Sequence, residues 1–456
     1  MGPVLLWSLL LVAYTTIAVV THSSGQLTVV EAAMLLLGPV VALAVALRPS
    51  WVALGMVAVP GALLSSVPTR ALVLLTVATL AAHLLTRGQL YLDWKSGILP
   101  IACLVVVSYF YRAELSGLGP LIARGYLSLM AFWVLLALIT YNAVRSRELG
   151  PQALAGALLF GAALTLLMEL SGIAASPAAQ SEGVTPVGGR LAYIAVIGFS
   201  VSLAWLVSLR RDAPLGKRIL LTLLTLVFLV WTVMPFIRAA WLSGLLFVVL
   251  LARWSGKRRY WLVVPIVAMI VIAVPIARER VFPGSTTSGF PQAFRTGDIT
   301  TGRIELWSIL WRDEVVPALP FGNGYGHMFS LSPQRLLGFE GYQRESSTNP
   351  FVFPHNDFIY WMVELGLIGL GALVVFWLHL LRVFRRLSRD PDRTLRQGAF
   401  MFAGVLITMF IVQLVDNSFA IRYVSTPFFI AAGLLFGLEA RREMAQLTRM
   451  TPDAMS

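Results

Sequence analysis

The sequence predicts an all-α polytopic membrane protein of roughly 12–14 transmembrane helices, with one long loop domain on a single face of the membrane. Three observations carry this. First, of the 456 residues 58% are hydrophobic and only 12% are charged, with a mean hydropathy of +0.80. A soluble domain would carry roughly twice that charged fraction. Second, apolar runs of about twenty residues recur from end to end, each able to cross a hydrocarbon core of about 30 Å. Third, the basic residues segregate to one set of loops.

Taken in order, candidate spans fall near 4–20, 28–47, 51–67, 71–86, 97–111, 121–143, 152–172, 191–208, 219–236, 239–252, 261–277, 356–381, 398–415 and 425–438. That makes fourteen, or twelve if the short pair 51–67 and 71–86 is re-entrant. Either count leaves the sidedness of later segments unchanged. The first run, Val4 to Val20, has no basic residue before it and no small-residue cleavage pattern, so it reads as a retained span and not a removable signal. The lone cysteine, Cys103, sits in an apolar run and says nothing of redox compartment.

The net charge is +13, and its location decides what it means. One set of loops holds Arg145, Arg147, Arg210, Arg211, Lys217, Arg218, the 257–259 cluster, five arginines over 385–396, and Arg441 with Arg442. With Arg48, Arg87, Lys95, Arg253, Arg382 and Arg449, that side has 22 of the 35 basic residues and 8 of the 22 acidic ones, an excess of 14. The remainder, 13 basic against 14 acidic, nearly cancels. The positive-inside rule makes the basic side cytoplasmic, with both termini inside. The charge is topological and no nucleic-acid partner is called for.

The segment 278–354 therefore lies outside, in the periplasm if the organism is Gram-negative. It divides the chain into an N-terminal bundle (1–277), a loop domain (278–354) and C-terminal helices with a tail (355–456). A connection this long is functional or disordered. Trp307, Trp311, Phe321, Tyr325 and Phe351 argue against disorder. Arg303 to Val316 predicts an amphipathic helix with Ile304, Trp307, Trp311 and Val315 on one face, capped by Thr301 and stopped by Pro317. A glycine-rich turn, Phe321 to His327, follows.

Candidate chemistry converges on the outer face. Arg238 lies at the outer end of a span, with Leu242 four residues on and on the same helical face. A charge so near lipid faces a cavity or a partner, or snorkels to the interface. His355 opens the span after the loop, where the helix dipole favours a neutral ring able to accept a proton. The alternative is a capping histidine. Gly366, eleven residues on, falls on the same face about 16 Å deeper in a straight helix and permits close helix contact. His327 is the rival histidine. The loop carries seven arginines and no lysine, and Arg190 adds an eighth nearby. Guanidinium groups grip phosphates bidentately, although loop salt bridges of about 0–1 kcal/mol account for most of them. The sole Asp-x-Asp, Asp390-Pro391-Asp392, lies on the cytoplasmic side, so the outer face lacks evident metal ligands. P-loop, zinc and dinucleotide motifs are missing from the sequence. An enzyme built this way needs an activated substrate, without metal or cofactor.

Arg238-Ala-Ala-Trp-Leu242, Thr301 to Trp307, Gly322-Asn323-Gly324-Tyr325-Gly326, and Pro354-His355-Asn356 with Glu364-Leu365-Gly366 resemble the O-antigen ligase and polymerase superfamily. Its signatures are Arg followed four positions later by Leu, and His followed eleven later by Gly; both occur here, flanking the long loop. The specific motifs lie within roughly 190–370. The resemblance implies a GT-C-like membrane glycosyltransferase, inverting and metal-independent, whose donor is a saccharide on undecaprenyl diphosphate. His355 would then activate or orient the acceptor hydroxyl. Arg238, with Arg190 and Arg303, would hold the diphosphate, and His327 would contribute to substrate binding. A ligase would use lipid A–core as acceptor, a polymerase the growing glycan; the two spacings favour the ligase.

A solute transporter is the alternative of another class, since Glu169, Arg124 and Glu31 lie within or near spans. Transporters pair broken helices in internal repeats, and no motif here has a second copy.

Overall fold

The computed structural model describes residues 97–113, 119–170, 187–210, 212–234, 237–255, 303–331, 354–416 and 422–450, together with scattered positions between 53 and 91. Expectations for the spans at 4–20, 28–47 and 261–277, and for the Thr301 cap, lie outside the described residues. The described part is helical and contains no strand. Its long helices are α1 (Leu99–Phe110), α2 (Gly119–Arg145), α3 (Pro151–Leu170), α4 (Val187–Ser208), α5 (Leu215–Val233) and α6 (Arg238–Ser255). The shorter α7 (Arg303–Leu310) follows, then α8 (Asp357–Ser388), α9 (Arg393–Val415) and α10 (Arg422–Met450). Among the described residues six helices are long and apolar enough to cross a membrane. The chain is a polytopic all-α membrane protein.

Small residues set the helix spacing, as in bundles that lack a hydrophobic drive for association. Gly433 and Gly437 of α10 press against the Ala137–Val144 stretch of α2, and Gly404 of α9 presses on Ser200 of α4. Aromatic rings fill what remains: Phe376, Trp377, Phe428, Phe429 and Phe436 form one contiguous group between α8 and α10.

The basic loops gather at one end. Arg393 donates to Ser208 O and Arg441 to Leu149 O, while Arg442 pairs with Asp390 and Glu439, and Arg386 pairs with Glu439. The segments that the charge count assigns to one side therefore meet in space. At the opposite end lie the starts of α4, α6 and α8 and the finish of α9.

Two expectations are corrected in the loop segment. The helix over Arg303 to Val316 is present, but it widens into a π-turn at Trp311–Val315 before a last helical turn, Val316–Ala318. The buried positions are Leu306, Leu310 and Val315, the extra residue of the π-turn bringing Val315 onto the face of Leu306 and Leu310, while Ile304 and Trp311 are exposed. Those three pack with Met328 and Leu331 against Met362 and Val363 of α8. The loop segment thus shares a core with the first turns of α8.

The second correction concerns Gly366. A straight helix would place it on the face of His355. Instead α8 kinks there, with Gly366 at φ +59, ψ −139. A Cβ at this position would overlap the Pro320 carbonyl oxygen and stand 2.6 Å from Gly322 N. The close approach permitted by this glycine is to the 320–322 backbone. Leu367 N–H donates across the kink to Pro320 O at 2.8 Å.

Candidate functional site

The site is assembled at the end of α9. Its last carbonyls have no partner within the helix, and three groups from distant segments meet three consecutive residues there. Asn356 Nδ2 donates to Leu414 O at 3.1 Å, Arg303 Nη1 donates to Val415 O, and His355 Nδ1 lies 3.2 Å from Asp416 Oδ1. The helix C-terminus carries partial negative charge, which favours the guanidinium of Arg303.

The sequence around His355 explains its placement. Asn356 is the N-cap of α8, and its Oδ1 accepts from Phe358 N and Ile359 N at 2.9 and 3.1 Å. Pro354 O accepts from Trp307 Nε1 at 2.6 Å, which ties α7 to the same segment. Between these two anchors His355 adopts φ +47, a left-handed backbone that costs a non-glycine residue about 1–3 kcal/mol. Strain of this kind persists where surrounding contacts over-determine it. Here Trp307, Asn356 and Asp416 do so. A carboxylate only accepts, so the Asp416 contact favours the tautomer with its proton on Nδ1. His355 and Asp416 are each about a quarter exposed.

The arginines follow from helix register. A Cβ added at Gly404 of α9 would overlap Ser200 of α4 and stand 3.3 Å from Phe247 of α6, so the three helices are close there. Counting twelve residues forward to Asp416, ten back to Arg190 and nine back to Arg238 gives rises of about 18, 15 and 14 Å toward the same end. Arg238 opens α6 there, half-buried, beside the end of α5, where Trp241 Nε1 donates to Val233 O. Leu242 is exposed while Arg238 is half-buried. Arg190 belongs to the first turn of α4. One turn on, buried Tyr193 lies within electrostatic reach of both Asp416 and Arg303.

His327 belongs to a second cluster. Its Nε2 is 2.8 Å from Glu314 Oε2, and its turn is fastened to Glu364, nine residues along α8 from His355. In this turn Tyr325 is buried, which pushes its phenol well above its ordinary value and keeps it a neutral donor to Ala123 O. Arg312 is engaged with its neighbour Asp313, whose carboxyl it holds below the usual range.

Sequence reasoning did not single out Asp416, Trp307, Tyr193 or Glu364 as site residues. The signal for Asp416 and Glu364 was an acidic residue at or within an apolar span, which is costly unless partnered. Trp307 and Tyr193 read as ordinary core aromatics.

Residues 223–374 match the family described as O-antigen ligase, a stretch running from α5 through the loop segment to the kinked part of α8. The match covers about a third of the 456 residues and is a similarity of that stretch to the family. No curated protein matches the chain.

Proposed function

We propose that the chain transfers a saccharide from undecaprenyl diphosphate to an acceptor hydroxyl, as an O-antigen ligase whose acceptor is lipid A–core, at the periplasmic face of the bacterial inner membrane. The observation that carries the reading is the His355–Asp416 pair, 3.2 Å apart, held beside Arg303 at the bundle end toward which α6 presents Arg238. That end is opposite the basic loops, which the positive-inside rule assigns to the cytoplasm. The similarity of residues 223–374 to the O-antigen ligase family supports a lipid-linked glycan as the substrate class.

In this reading Asp416 holds the His355 tautomer through Nδ1, and Nε2 takes the proton from the acceptor hydroxyl. The freed oxygen attacks the anomeric carbon, and the bond from that carbon to the diphosphate breaks with its electron pair leaving on phosphate. The charge is met by Arg238, Arg190 and Arg303, which stabilise it more in the transition state than in the ground state. Attack opposite the leaving group inverts the anomeric centre. The activated donor supplies the driving force, so no metal or cofactor is required.

Purified protein reconstituted with an undecaprenyl-diphosphate-linked oligosaccharide, in EDTA and with lipid A–core, tests this. Core-linked product from the wild type and none from His355→Ala is the expected result. A lengthened lipid-linked glycan without core-linked product would make the protein a polymerase. If neither forms, the glycosyltransferase reading falls.

A further inference from the structure

Glu364 is fully buried within α8, where an unpartnered carboxylate would cost several kcal/mol. Its partners are backbone amides. Oε1 accepts from Met328 N–H at 2.9 Å and Oε2 accepts from Gly326 N–H. Successive N–H groups converging on one anion form a nest. Main-chain bonds reinforce it: Gly324 N–H donates to Glu364 O and Asn323 N–H to Val363 O, both at 2.9 Å. The turn 322–328 is thereby fastened to α8 just before the Gly366 kink.

That turn also grips the end of the α7 strut. Asn323 Nδ2 donates to Glu314 O at 3.0 Å, and His327 bonds the Glu314 carboxylate at 2.8 Å. Glu314 lies in the π-turn that continues α7. The other end of the strut carries Trp307 and Arg303, whose bonds reach Pro354 O and Val415 O beside His355. The helical unit 303–318 is thus held at two ends, one at the His355 site and one at Glu364.

From this we infer that Glu364 is a positioning residue. Through the 322–328 turn and Glu314 it sets the strut that holds Arg303 and Trp307 against the His355 segment. Its role in turnover rests on the proposed glycosyl transfer; its anchoring of the strut does not. Both carboxylate oxygens accept, so an amide cannot substitute: the Glu364→Gln side chain would turn an N–H₂ toward one of the two donors.

The test uses full-length protein in a Cys103→Ser background, spin-labelled at Ile304→Cys and Leu378→Cys, both exposed in the described structure. Pulsed electron spin resonance should give one narrow distance distribution in the parent and one at least twice as wide in E364Q. Glycan transfer should drop at least tenfold in kcat, with KM for the lipid-linked donor within about threefold, because misplacement of about 1 Å costs up to 10²-fold. E364D, whose carboxylate is withdrawn by one methylene, should broaden the distribution likewise and serves if E364Q does not survive purification. An unchanged distribution in the variants overturns the proposal whatever the activity. If the parent transfers no saccharide while the distances respond, the anchor stands and the glycosyltransferase reading falls.

Discussion

Nδ1 of His355 lies 3.2 Å from Oδ1 of Asp416, a contact across 61 residues of chain between the start of α8 and the end of α9. Because the carboxylate only accepts, it fixes which imidazole nitrogen carries the proton. Asp416→Asn keeps the shape and offers the wrong group to Nδ1, so kcat for glycan transfer should fall about 10²–10⁴-fold. His355→Ala should cost a similar factor, and the double variant little more, because the two act as one unit. Steady-state kinetics of the three variants would check this; additive losses would separate the residues.

Arg238→Lys preserves the charge and discards the planar fork. If the side chain clamps a diphosphate, lysine should retain only part of the activity and alanine less still, with a step of about tenfold or more between arginine and lysine. Donor titration against kcat measures this. Equal activity of arginine and lysine would leave Arg238 as a general cationic contact.

Asn356 links α8 to α9 through its cap and its bond to Leu414 O. Asn356→Ala should lower stability in detergent by about 1–2 kcal/mol, and turnover should fall further because His355 is the next residue. Asn356→Asp, which keeps the cap acceptors and loses the donor, should recover the stability but only part of the turnover.

Gly366→Ala must accept a positive φ and an overlap with the Pro320 carbonyl. A destabilisation of at least about 2 kcal/mol is expected. Gly371→Ala, five residues on, meets nothing within 4 Å and is the matched control. It should be neutral, as judged by thermal unfolding of both in the same detergent.

Arg312 and Asp313 pair at the surface of the loop segment. Screening by solvent makes such a pair worth little, so Arg312→Ala should leave transfer within about twofold, unlike Arg303→Ala. Asp313 is held below its ordinary range by Arg312. Whatever stability the pair adds is present above the unfolded carboxylate range and lost as pH falls through the depressed folded value.

The sequence alone determined the class of the molecule, because burial in lipid imposes a length and an apolar composition on every span, and loop charge records sidedness. The apolar spans that follow Pro354 and Arg393 were legible for that reason, and the turn at 322–326 from its glycines. Only the tertiary structure decided who stands beside them. Asp416 and His355 share no local pattern, and a π-turn that brings Val315 onto the face of Leu306 and Leu310 leaves no periodic trace. The kink at Gly366 was likewise invisible, since a glycine in an apolar run fits a straight helix as well as a bent one. What bends it is the carbonyl of Pro320 and a buried carboxylate, Glu364, anchoring a turn some forty residues upstream. Local pattern constrains hydropathy and period; contacts between distant segments depend on where those helices are packed.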